Sequence, residues 1–205
     1  MSSPVTLVLF DMEGVLSHYD RDARVARLTA RTGVAPDTVR HAIWGSGLEA
    51  RADAGEIDAQ TYLDALGDLL GYPVTRDEWL DSRRASITPN AATIELAVRL
   101  AKRHRIAVLT NNGDLVTDNV GLLYPPVAQV FGARVYPASA FGAAKPAAQT
   151  YLGCVAQLGV APEATLFIDD TEANVQGAID AGLQGYRFVT ADALAEELEK
   201  RGLLE

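Results

Sequence analysis

A single cysteine, Cys154, is all the thiol this chain contains. That excludes an intrachain disulfide and leaves no thiol cluster to hold zinc, so Cys154 reads as a small buried hydrophobe. Positive charge is scarce too: 18 Lys and Arg against 27 Asp and Glu give a formal charge of −9 and a pI near 4.8. A broad nucleic-acid-binding face needs clustered basic residues and is not expected. One local pocket on an acidic protein can still receive a small anion. No apolar run approaches the roughly 20 residues needed to span a bilayer. Met1-Ser2-Ser3-Pro4 leads straight into a strand, without the basic and apolar regions of a secretory leader, so a cytoplasmic location is expected. Internal repeats and low-complexity segments are also missing. What is there is globular: 205 residues, 48% hydrophobic and 22% charged, enough for one large domain or for a core with a smaller insert.

The first strand and its turn, Val5-Thr6-Leu7-Val8-Leu9-Phe10-Asp11-Met12-Glu13-Gly14-Val15, organise the rest. Six mostly apolar residues without alternation describe a strand covered on both faces, as in the centre of a parallel sheet. Asp11 falls at its carboxyl end, where open α/β sheets bind ligands. A carboxylate there can be a nucleophile or a metal ligand, and Glu13 nearby can move protons. A turn cap is the alternative reading of Asp11.

Downstream the pattern turns helical. Amphipathic helices are expected from about Asp20 to Thr32, from Ala35 to the break at Gly45-Ser46-Gly47, over Leu48 to Asp53, over Asp58 to Leu70 and over Thr75 to Ser86. No strand pattern occurs between Leu16 and Thr88, so residues 16–88 read as a small helical insert. From Pro89 helices and strands alternate, with strands at Ile106–Thr110, Arg134–Tyr136, Ala164–Ile168 and Gly185–Val189. The expected fold is α/β: a Rossmann-like parallel sheet with helices on both faces, built from residues 1–15 and 89–205 and split by the insert.

Several strand ends carry polar groups: Asp11 with Glu13, Thr110-Asn111-Asn112, and Asp169-Asp170, while Lys145 precedes a helix that Pro146 can start. In a parallel sheet these ends share one edge and can form one pocket. Acids from neighbouring strands repel unless a cation lies between them, which suggests Mg²⁺. Lys145 and Thr110 would then receive an anion such as phosphate.

Asp11-Met12-Glu13-Gly14-Val15, Thr110-Asn111-Asn112, Lys145-Pro146 and Asp169-Asp170-Thr171-Glu172-Ala173-Asn174 resemble, in order, the four motifs of the haloacid dehalogenase superfamily. The insert lies where that superfamily carries a helical cap. Within it Trp44-Gly45-Ser46-Gly47, Glu49, Gly55-Glu56-Ile57 and Tyr62 resemble the branch containing small sugar-phosphate phosphatases. The resemblance implies that Asp11 is the nucleophile and a Mg²⁺ ligand, and that the Glu13 carbonyl and Asp170 also bind the metal, with Asp169 binding directly or through water. It implies that Thr110 and the Asn111 N–H hold the phosphoryl oxygens, and that Lys145 neutralises charge on nucleophile and phosphoryl group. Phosphatases of the superfamily usually carry Asp where this chain has Glu13. The carboxylate keeps the acid/base chemistry but is one methylene longer.

The activity so implied is hydrolysis of a small phosphorylated metabolite by a monomer or homodimer, without nucleic acid or membrane as partner. A 2-haloacid dehalogenase and a catalytically silent binding protein are the alternatives. Glu49 and Arg51 are the expected cap contacts to substrate. Asn112 and Asn174 are expected to orient neighbouring groups, and Trp44 and Trp79 to fill the cap core. Arg83 and Arg84 are expected to face solvent, as is His18, for which a place facing the pocket is the alternative.

Overall fold

The computed structural model describes residues 4–204. Strand β1 (Leu7–Phe10) is wholly buried, and its side chains divide between two cores. Val8 and Phe10 belong to one hydrophobic cluster, Leu7 and Leu9 to the other, which is why the strand shows no polar alternation.

The chain then forms β2 (Ser17–Tyr19) and five helices: α1 (Arg21–Thr32), α2 (Pro36–Arg40), α3 (Leu48–Asp53), α4 (Ala59–Leu70) and α5 (Arg76–Ala85). A π turn at His41–Gly45 prolongs α2. Local chemistry sets several boundaries. The Asp20 carboxylate accepts from the N–H groups of Asp22 and Ala23 at the start of α1, and Thr75 and Glu78 form a reciprocal cap on α5. Val25, Leu28, Ile43, Leu66 and Trp79 are buried at the centre of these helices.

Strand β3 (Ile87–Pro89) pairs antiparallel with β2, Tyr19 opposite Ile87 and Ser17 opposite Pro89. No strand pattern is visible in the sequence here. Each is only three residues long and carries no alternation, so the pairing arises from the close passage of the two chain segments rather than from local pattern.

The remaining elements are α6 (Ala91–Leu100), β4 (Arg105–Thr110), α7 (Asp114–Thr117), α8 (Val120–Leu123), α9 (Pro125–Phe131), β5 (Val135–Pro137), α10 (Ala148–Leu158), β6 (Thr165–Asp169), α11 (Glu172–Asp180), β7 (Gln184–Arg187) and α12 (Ala191–Lys200). Three short helices, α7 to α9, connect β4 to β5, and Pro125 and Pro126 mark the first turn of α9. The last strand ends at Arg187, and Val189 is exposed.

All five strands of the main sheet run parallel in the order β5-β4-β1-β6-β7. One face is packed by Leu96, Leu100, Phe131, Leu194 and Leu198, the other by Tyr151, Cys154, Val155 and Ala178. Cys154 is buried as expected, and burial pushes its thiol up to about 12. Among the described residues no helix is long and apolar enough to cross a membrane.

Candidate active site

Register brings the acids together. Phe10 lies opposite Ile168, so Asp11 and Asp169 follow at the same level, and the Asp11 N–H donates to the Ile168 carbonyl at 2.8 Å. Carboxylate oxygens of Asp11, Asp169 and Asp170 lie within 4.8 Å of one another. Lys145 Nζ donates to Asp11 Oδ1 and to Asp169 Oδ2, both at 2.7 Å, from a side chain almost wholly out of solvent.

Two carboxylates thus share one ammonium, with a third beside them. Burial raises the Asp11 carboxyl to about 7, with Asp169 pushing the same way against the attraction of Lys145. Burial and Asp169 also raise Asp170. Burial disfavours the Lys145 charge, but Asp11 and Asp169 outweigh it and hold the ammonium above its ordinary value. The cluster carries more negative charge than its lysine offsets, and its donors are hard oxygens. That donor set fits a divalent cation of the Mg²⁺ type.

Neighbouring groups fix these side chains. Asn174 Nδ2 donates to both oxygens of Asp169, at 3.2 and 3.0 Å, and the Thr171 N–H reaches Oδ1 at 2.8 Å. Asn111 binds the Lys145 backbone twice: Oδ1 accepts from its N–H at 2.8 Å and Nδ2 donates to its carbonyl at 3.1 Å. Asn112 Nδ2 donates to Thr110 Oγ1 at 2.7 Å. Gly14, at φ +93°, turns the chain against Asp170.

A cavity of about 610 Å³ opens over this edge, lined by Asp11, Glu13, Thr110, Asn111, Lys145 and Asp170 below and by His18, Tyr19, Arg21 and Asp53 opposite. The sheet-edge residues expected from sequence all line this cavity except Asp169, which is fully buried behind it, and His18 joins them. The inserted helices touch the edge directly: Asp53 Oδ1 accepts from the Gly113 N–H at 3.0 Å, and a Cβ at Gly113 would stand 2.8 Å from the Ala52 carbonyl oxygen. Burial, with Glu49 nearby, raises the Asp53 carboxyl to about 7.

Glu49 and Arg51 are not among the residues lining that cavity. Glu49 binds Arg24 at 2.6 Å and accepts from Tyr62. Burial works against its charge, but Arg24 and Arg83 hold it below its ordinary value. Arg51 is exposed and pairs with Glu56 at 3.6 Å. Arg83, expected in solvent, is 2% exposed. Its Nη2 donates to Glu13 Oε1 at 2.7 Å and to Asn112 Oδ1, while the Tyr124 hydroxyl donates to the same Glu13 oxygen. Burial is tolerable there because the guanidinium finds acceptors on several sides. Trp79 follows its expectation and is buried.

A doubly covered parallel sheet with carboxylates and a lysine converging at its carboxyl edge is the architecture of an α/β enzyme, in which ligands bind at the strand ends. The chain belongs to the haloacid dehalogenase-like hydrolases, whose family model matches residues 5–182. Over 189 residues it is 22% identical to D-ribitol-5-phosphate phosphatase of Bacteroides thetaiotaomicron, a match covering 88% of this chain and 90% of that one. It is 44% identical over 62 residues to flavin mononucleotide hydrolase 1 of Arabidopsis thaliana chloroplasts, 30% of this chain and a quarter of that protein's length. A HAD family enzyme of B. thetaiotaomicron, solved with magnesium and inorganic phosphate, superposes with a TM-score of 0.76 at 20% identity, covering 89% of this chain and 93% of that one. L-2-haloacid dehalogenase of Xanthobacter autotrophicus superposes with a TM-score of 0.64 at 22% identity, covering 95% and 82%. The fold is thus shared by both chemistries and does not choose between them.

Proposed function

We propose that this chain is a Mg²⁺-dependent phosphatase that hydrolyses a small phosphorylated metabolite, a sugar phosphate in our reading, through an aspartyl-phosphate on Asp11. The observation that carries it is the position of Lys145 Nζ, 2.7 Å from the nucleophile candidate and 2.7 Å from a second acid of the cation-binding set. Concentrated charge neutralisation around a fixed carboxylate is what phosphoryl transfer chiefly requires.

Asp11, Asp169, Asp170 and the Glu13 carbonyl would hold the metal, which when bound neutralises charge on the phosphoryl oxygens and on Asp11. A carboxylate oxygen of Asp11 attacks phosphorus, and the bond from phosphorus to the ester oxygen breaks. Glu13 gives its proton to the departing alkoxide. It then takes a proton from the water that attacks the aspartyl-phosphate, releasing inorganic phosphate and restoring Asp11. Thr110 and the Asn111 N–H hold the phosphoryl oxygens, and Lys145 balances their charge.

Residues 16–88 serve as a cap over the core made by 1–15 and 89–205. Its cavity wall, with imidazole, phenol, guanidinium and carboxyl groups at His18, Tyr19, Arg21 and Asp53, suits a hydroxyl-rich leaving group. The names of the phosphatase and the flavin mononucleotide hydrolase point the same way. The runner-up, a 2-haloacid dehalogenase, draws on the shared fold alone. Displacement at carbon has no use for the cation that Asp169 and Asp170 would hold.

The test is release of inorganic phosphate from a panel of sugar and polyol phosphates, flavin mononucleotide and 4-nitrophenyl phosphate, with and without Mg²⁺. Metal-dependent release, abolished in Asp11→Asn, is the expected result. Chloride release from a 2-haloacid with no phosphate release would replace this reading by the dehalogenase. Phosphate release by Glu13→Asp alone would mean a site silenced by one methylene.

A further inference from the structure

Glu13, the acid/base group of the proposed reaction, is held by the insert. Its Oε1 accepts from Arg83 Nη2 at 2.7 Å and from the Tyr124 hydroxyl, and among the described residues nothing else engages Oε2. Arg83 belongs to α5 and is 2% exposed, with its guanidinium stacked 4.3 Å from the centre of the Tyr19 ring. Its Nη1 stands 3.7 Å from Glu49 Oε1, which Arg24 binds at 2.6 Å. The same Nη2 donates to Asn112 Oδ1, and Asn112 in turn holds Thr110 Oγ1 at 2.7 Å.

A glutamate has one more rotatable bond than an aspartate, and a proton donor displaced by about 1 Å can cost roughly 10²-fold in rate. Two donors on one carboxylate oxygen remove that freedom and leave the other oxygen to exchange a proton with the substrate. The buried Arg24–Glu49 pair braces the guanidinium from behind.

We propose that Arg83, assisted by Tyr124, is the positioning residue for Glu13, so that a side chain of the inserted helices sets the acid/base group of the core. This rests on the phosphatase reading. Arg83 is not among the residues lining the cavity, and it acts through Glu13.

The test compares wild type, Arg83→Lys, Tyr124→Phe and Glu13→Gln, and both double variants with Glu13→Gln, on aryl phosphates of graded leaving-group basicity and on the best sugar phosphate. kcat/KM reports formation of the aspartyl-phosphate, the step in which Glu13 protonates the leaving oxygen. Arg83→Lys and Tyr124→Phe should lower kcat/KM on the sugar phosphate by about 10²-fold through kcat rather than KM. The loss should be smaller on 4-nitrophenyl phosphate, whose leaving group needs no proton, so dependence on leaving-group basicity steepens. In the Glu13→Gln background neither substitution should cost more. Tyr124→Phe removes one hydroxyl and keeps the buried charges paired, so it carries the test if Arg83→Lys does not fold. Equal losses on every ester, or losses that multiply with Glu13→Gln, would overturn the assignment and leave the phosphatase reading standing. No phosphate release from the wild type would overturn both.

Discussion

Gly14 and Asp170 approach so closely that a Cβ on Gly14 would lie 2.4 Å from Asp170 Oδ2. The contact joins the turn after β1 to the acid after β6, and it would make the proposed cation site sensitive to one methyl group. Gly14→Ala must push the Asp170 carboxylate aside, and the φ of +93° adds backbone strain of about 1–3 kcal/mol. Mg²⁺ affinity should fall by about 10- to 100-fold, read by calorimetric titration. Unchanged affinity would remove Asp170 from the metal site.

Lys145 stands between two buried acids, so taking away its charge leaves them facing each other. Lys145→Met should destabilise the metal-free protein by about 3–5 kcal/mol in urea at pH 7. Because a cation replaces part of what is lost, Mg²⁺ should raise the midpoint of the variant more than that of wild type. A variant as stable as wild type would show that the two acids are not both ionised in the fold.

Asp53 makes stability depend on pH. Its carboxyl goes from an ordinary 3.8 to about 7 in the fold, so the folded protein binds the proton more tightly. The stabilising effect of that proton is complete below about pH 4 and is lost as pH rises towards 7. Asp53→Asn keeps an oxygen for the Gly113 N–H and carries no charge to bury. Its melting temperature relative to wild type should therefore climb from pH 5 to pH 8 and then level off. A constant difference across that range would mean that Asp53 titrates at its ordinary value.

Glu49 and Arg51 are two positions apart and have different surroundings. Glu49→Ala strands Arg24, which is fully buried, and should cost about 3–5 kcal/mol in denaturant unfolding. Arg51→Ala breaks an exposed pair and should cost less than about 1 kcal/mol. It should also leave KM unchanged, since the side chain lies away from the cavity. A raised KM in Arg51→Ala would restore that residue to the substrate site.

The sheet-edge chemistry was legible because it is written locally. Apolar strands ending in polar groups mark the edge of a parallel sheet, so Asp11, Thr110, Asp169 and Asp170 could each be placed from such a boundary, and Lys145 from the helix start that follows it. The bracing around them was not. Arg83 lies in a segment crowded with charge, Arg76-Asp77-Glu78-Trp79-Leu80-Asp81-Ser82-Arg83-Arg84, and was read as solvated. The signal was its spacing, four residues after buried Trp79 and so on the same helical face. Tyr124 and Glu13 are 111 positions apart, and no local rule pairs them. Glu49 and Arg51 show the converse: charges beside a glycine break look available to a ligand until the fold shows which have partners.

The β2–β3 ribbon brings the departure and the return of the inserted helices side by side, with the Asp20 N–H donating to the Ser86 carbonyl at 2.8 Å just beyond the Tyr19–Ile87 pair. The sheet therefore places no demand on the length of what lies between, and doubling such an excursion adds only about 0.6 kcal/mol of closure entropy. On the phosphatase reading, the reaction edge and the roof over it are joined through this ribbon of three residue pairs. A descendant could exchange the roof and meet a new substrate without shifting a single acid below it, provided the new roof again supplied a donor for Glu13.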